Sequence, residues 1–176
     1  YRSAPIVLTL PHAEVDQEQP VKTVALPGLA MIVADPNGPV DWAAARSEEM
    51  TINLLSRRRE HEASQIGFMS SETPVIGLRI EVSDLTGPQG AKIPAEAVQW
   101  FVEGKVHREP NPAYLLRREI PARRDSWVPD ILVPVDAFAV SGGGWEAVWV
   151  EVDVPPDTRL GIHRGTVTVS AAGLES

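Results

Sequence analysis

The chain contains no cysteine. Disulfides, thiolate metal centres and cysteine nucleophiles are therefore excluded, while the compartment stays open, because many secreted domains lack cysteine. Long apolar runs are missing too. Residues 25–34, with Pro27 and Gly28 among them, fall far short of the ~20 residues that span a bilayer. An excess of positive charge is absent: 16 Lys and Arg stand against 24 Asp and Glu, a net charge of −8. Such a chain has no general attraction for phosphate backbones, so neither nucleic acid nor an anionic membrane is an expected partner. The basic run Arg57, Arg58 and Arg59 is followed by Glu60 and Glu62, and Arg117, Arg118, Arg123 and Arg124 are interrupted by Glu119 and Asp125. Both read as solvated surface neutralised by these neighbours. Ser141-Gly-Gly-Gly144 lacks the lysine, the following Ser or Thr and the helix of a phosphate loop, and reads as a hairpin tip. No Gly-x-Ser-x-Gly elbow occurs. His12, His61, His107 and His163 are too far apart for a helical metal pair.

What the chain does have is 16 Pro and 13 Gly, with 43% apolar and 23% charged residues. Proline costs ~3 kcal/mol inside a helix, so this composition favours short strands joined by turns. At 176 residues a single domain over 1–176 is expected. Period-two alternation locates the strands. Val148, Val150, Val152 and Val154 point one way, and Trp149, Glu151 and Asp153 the other, until Pro155 and Pro156 stop the strand. Val167 and Val169 alternate in a second strand, with a turn and a short approach strand over 160–165 between the two. Together they suggest an antiparallel pair. Leu78, Ile80 and Val82 mark another strand, residues 84–90 a loop, and 97–106 a strand with large apolar groups on both faces, as a central strand has. Residues 50–55 and 65–69 are shorter candidates. Residues 5–10 and 21–26, flanked by proline, suit edge strands. One short helix, capped by Asp41, is expected at 41–49. The reading is all-β, an antiparallel sandwich of immunoglobulin-like or jelly-roll-like type, with a closed barrel as the alternative.

Three groups of residues could carry function. Glu151 and Asp153 share one strand face roughly 6.5–7 Å apart, a spacing that glycosidase carboxylates use, although every polar strand face offers such pairs. Trp149 lies on that face and could stack a sugar, so Trp149, Glu151 and Asp153 form a candidate glycan or partner face; packing of the indole is the competing reading. Loop acids Asp84, Asp125, Asp130 and Asp157 could hold Ca²⁺; no other cofactor or metal is suggested. Finally, Ala4, Pro5, Ile6, Val7, Leu8, Thr9 and Leu10 form a strand-prone segment that could add to the sheet edge of a second copy, giving filaments or tubes.

Several segments together resemble a known family. Residues 58–68, RREHEASQIGF, resemble the "arnE…fQ" segment of the N-terminal domains of glycoside hydrolase family 123 and related DUF4091 proteins. Residues 78–85, LRIEVSDL, with Gly90 to Ile93 and Val98 to Val106, are similar to the "v…sdL…G..I….v…v..V" stretch. Residues 128–134, VPDILVP, look like "yPDpLlP", and 149–157 with 161–169 like "Wv.v.vP.d..pG.Y.G.v.v". The resemblance covers about residues 50–171. It implies a β-sandwich preceding a catalytic (β/α)₈ barrel to which the acidic pair belongs, so no catalytic residue carries over. His163 in place of Tyr, Ile131 in place of Pro, and an insertion at 39–49 depart from the pattern. The expectation is a non-enzymatic extracellular or cell-surface module; the start at Tyr1 rather than Met reads as a processed product, which a removed signal peptide would fit, or as an excised or trimmed domain. It would have a structural or interaction role, with an adjoining barrel or copies of itself as partner. The alternatives are a self-assembling subunit, a carbohydrate-binding module and a self-contained hydrolase.

Overall fold

The computed structural model of the chain describes residues 2–10, 28–34, 51–108 and 126–171. The helix expected at 41–49, the strand at 21–26, His12, Asp125 and the arginines from Arg117 to Arg124 lie outside the described residues. Twelve strands are described: β1 (Arg2–Leu10), β2 (Leu29–Ala34), β3 (Ile52–Leu55), β4 (His61–Ser70), β5 (Val75–Val82), β6 (Leu85–Thr86), β7 (Lys92–Ile93), β8 (Val98–Arg108), β9 (Ser126–Val133), β10 (Phe138–Val140), β11 (Trp145–Asp153) and β12 (Gly161–Ser170). They form two sheets. One runs β10-β5-β12-β1-β3, with β6 and β7 attached beside β12; the other runs β2-β4-β11-β8-β9. All pairings are antiparallel except β1 with β3.

The expected sandwich arises from period-two burial. Val148, Val150, Val152 and Val154 are fully buried, as are Val167 and Val169. They pack with Leu78, Ile80, Ile66, Phe68, Leu29 and Met31 in one core between the sheets. Each such side chain contributes about 1.5–3 kcal/mol of transfer free energy. At β10 the core is closed by Phe138, edge-to-face with Phe68 at 5.3 Å and tilted against Trp100 at 6.2 Å. β8 is flanked by β11 and β9, as its two apolar faces suggested. On β5 the partners step from Leu78 to Val75 while β10 advances from Phe138 to Val140, and Gly77 takes φ +67° in this bulge.

Four local expectations are corrected. β1 is not an edge strand: β12 pairs with it along its whole length and β3 over Ile6 to Thr9. Pro5, which cannot donate to a ladder, falls just before the β3 pairing begins. β11 and β12 are not a hairpin but lie in different sheets. Pro155 and Pro156 end the ladder, and the Thr158 amide donates to the Pro155 carbonyl at 3.2 Å in the turn between sheets. β12 then runs unbroken from Gly161, so no separate approach strand exists at 160–165. Nor is Ser141-Gly-Gly-Gly144 a hairpin tip, for it joins β10 in one sheet to β11 in the other. A Cβ on Gly142 would stand 2.1 Å from the Glu72 carbonyl oxygen, so close approach explains the glycine.

Candidate functional site

With Val148, Val150 and Val152 inward, the odd-numbered residues of β11 form the outer face of the second sheet. Register extends this face sideways. Trp149 stands between Gln65 of β4 and Phe101 of β8, and Glu151 between Ala63 and Gln99. The expected face of Trp149, Glu151 and Asp153 therefore exists as one surface. Its groups are engaged with their neighbours. The Trp149 indole N–H donates to Glu151 Oε2 at 3.0 Å. Asp153 Oδ1 lies 3.7 Å from His61 Nε2, with both side chains more than half exposed, an arrangement worth little in water. Between β8 and the start of β11, Lys105 Nζ donates to the Trp145 carbonyl at 2.6 Å and to Glu146 Oε1 at 2.9 Å, and sits 4.0 Å from the Trp145 ring centroid.

The centre of this face is a polar bridge that sequence reading missed. β4 and β8 are separated by β11, about 9.5 Å from backbone to backbone. Gln65 and Glu103 reach toward each other across that gap, and Gln65 Nε2 donates to Glu103 Oε2 at 2.9 Å. Ala147, paired with Gly67, offers no bulk in between. It is 0% exposed although it points away from the core, as a methyl group beneath a bridge would be. Glu103 and Gln65 are only 3% and 6% exposed, and Glu103 Oε1 and Gln65 Oε1 have no partner among the described residues. Loss of water raises the pKa of the Glu103 carboxyl above the ordinary glutamate range, and the Gln65 hydrogen bond only partly opposes this. Gln65 thus bonds a side chain across the sheet, whereas Glu60 Oε2 accepts from a backbone amide, that of Arg57, at 2.9 Å. The available signal was the Gly67–Ala147 pair, two minimal side chains opposed on a face of long polar ones.

The remaining candidates are dispersed. Asp84 is occupied: Oδ2 accepts from Lys92 Nζ at 2.8 Å and Oδ1 from the Ala95 amide at 3.1 Å, and these contacts, Lys92 first, hold its pKa below the ordinary aspartate value. Asp130 lies in β9 rather than in a loop, and Asp157 is exposed in the turn after β11. Among the described residues no three acids or histidines gather in a metal-binding group. Ala4 to Leu10 belong to β1, with Ile6 and Leu8 fully buried in the core of their own chain. His163, at the position where the resemblance expects Tyr, is fully buried; its Nδ1 lies 3.4 Å from the Gly161 carbonyl, its Nε2 has no partner among the described residues, and burial lowers its pKa.

Comparison with known proteins agrees with this architecture. The glycoside hydrolase 123 N-terminal domain matches residues 43–171. No curated protein matches the chain. Among solved structures, a family 123 glycoside hydrolase from Clostridium perfringens, described for its glycolipid glycan hydrolysis, superposes with a TM-score of 0.55 at 18% identity. The likeness covers 68% of this chain and only 19% of that one, and at this identity it concerns the fold. The match thus reaches an N-terminal β-sandwich and no catalytic domain. This chain belongs to the glycoside hydrolase 123 N-terminal domain family.

Proposed function

We propose that this domain is a non-catalytic accessory module of an extracellular carbohydrate-active protein, which works by packing against an adjoining catalytic domain. The observation that carries the reading is the family match, which runs through nearly every described strand and stops at the sandwich. The outer face of the second sheet supplies the contact surface. Trp149 and Phe101 stand side by side on it, half-buried, with Leu132 44% exposed beyond them. Large apolar groups on the solvent side of a sheet mark interaction surfaces. Trp149 and Glu151 satisfy each other there, which suits a surface built for burial better than a catalytic pair awaiting substrate. The test is to read the coding sequence beyond Ser176 and to express the region it encodes, separately and fused to this domain. A catalytic domain that binds this one, with binding weakened by Trp149→Ala and Phe101→Ala, is the expected result. A downstream sequence with no catalytic domain would overturn the proposal.

A further inference from the structure

A second feature lies away from this face, at the end of the sandwich where β11 crosses to β12. A cleft of about 630 Å³ opens there, within the range of small-ligand sites. Pro94 and Pro155 form apolar walls, and Arg58, Lys92 and Arg159 bring three cations to a chain whose net charge is −8. Lys92 is neutralised by Asp84. Arg58 and Arg159 are not: among the described residues no carboxylate lies within ion-pair distance of either, although Asp157 shares the rim. Arg57 to Arg59 are exposed, as a solvated run should be, but among the described residues neither Glu60 nor Glu62 forms an ion pair with them, and Glu60 accepts from a backbone amide instead.

Arg58 is held in place. Its Nε donates to the Thr158 carbonyl at 2.6 Å, which leaves the two terminal nitrogens of the guanidinium for another acceptor. Its turn is clamped to β11 by the Arg59 amide on the Val154 carbonyl at 2.8 Å and the Val154 amide on the Glu60 carbonyl at 3.0 Å. Arg59 takes φ +64°, a left-handed conformation uncommon outside glycine. The second independent feature is Thr158. It lines the cleft and is 6% exposed, yet its hydroxyl has no partner among the described residues. A buried hydroxyl left unpaired costs free energy, so a ligand oxygen is its natural complement.

We propose that this cleft binds an oxyanion carried by an acidic polysaccharide, a sulfate ester or a uronate carboxylate, with Arg58 as bidentate donor, Arg159 as second cation and Thr158 as hydroxyl donor. The oxyanion site stands on the cleft alone; the choice of a saccharide as carrier rests on the carbohydrate setting proposed above. Inorganic sulfate is titrated calorimetrically at low salt, and chondroitin sulfate, polygalacturonate and neutral dextran are compared by affinity electrophoresis. Sulfate and at least one acidic polymer should bind, dextran should not, and ~1 M salt, where screening acts over ~3 Å, should abolish binding. Arg58→Lys keeps the charge but loses the fork, and should weaken binding about tenfold or more. Thr158→Val should weaken binding while leaving the melting temperature unchanged or higher, which a structural role of the hydroxyl would not allow. Arg159→Gln provides a second surface variant that leaves the clamped turn intact. Equal binding by wild type and these variants, or no sulfate binding, overturns the site. Sulfate binding without any acidic polymer overturns the saccharide assignment. Neither result bears on docking to a catalytic domain, which is measured separately.

Discussion

Replacing Glu103 with glutamine should stabilise the protein at neutral and alkaline pH and leave it unchanged in acid. In the wild type, Glu103 is 3% exposed and accepts one hydrogen bond from Gln65, and among the described residues Glu103 Oε1 and Gln65 Oε1 lack a partner. A protonated carboxyl can donate to the free Gln65 oxygen; a carboxylate cannot, and faces it with like partial charge. The sign comes from the raised pKa. The fold prefers the neutral acid, so the stabilisation is complete below the ordinary value of 4.5 and is lost as pH rises through the folded value. A glutamine donates from its amide at every pH. Satisfying one buried polar atom is worth about 1–3 kcal/mol, or roughly 2–4 °C of melting temperature per kcal/mol in a domain of this size. Thermal unfolding monitored by circular dichroism at pH 4, 6 and 8 reads this directly. A variant less stable than wild type at pH 8, or equally stabilised at all three, would refute the bridge as described.

Other consequences concern separate parts of the fold. His163 gives the opposite pH dependence: its pKa is depressed by burial, so stability should fall as pH drops below the ordinary histidine value of 6.5, and His163→Phe should remove that loss in an acid-unfolding series. Ala147→Leu should force the Gln65–Glu103 bridge apart and cost roughly 1–3 kcal/mol in urea unfolding, because the space beneath the bridge has no spare volume. Leu8→Ala should cost ~2–5 kcal/mol by the same assay if β1 fills the core of its own chain; a cost near zero would place that strand elsewhere in solution. Gly87→Ala should destabilise by about 1–3 kcal/mol, since its Cβ would come within 2.2 Å of the His163 ring.

Burial periodicity made most of the sandwich legible. Val148, Val150 and Val152 of β11, the pair in β12 and the alternation of β5 each identified a strand and its inward face. Strand partnership was harder to read. Val148 to Val154 and Val167 to Val169 look like neighbours because they are close in sequence. Nothing local says that the Pro155–Pro156 turn changes sheets, since both choices bury the same side chains. β1 misled for a related reason: Pro5 argues for an edge, but a proline just outside the β3 ladder satisfies that constraint inside a sheet. At the site, the outward row of Trp149, Glu151 and Asp153 was readable from alternation. The Gln65–Glu103 bridge was not, because it links residues 38 positions apart across an intervening strand. Thr158 and Arg58, 100 positions apart, met for the same reason: long-range pairing, which a single sequence does not display.

The accessory role is tested most directly by measuring release of aglycone from a panel of chromogenic glycosides, with the 176-residue chain and a version extended through its downstream coding sequence assayed side by side. The account predicts turnover by the extended protein alone. Hydrolysis by the chain itself, abolished by Glu151→Gln or Asp153→Asn, would contradict it.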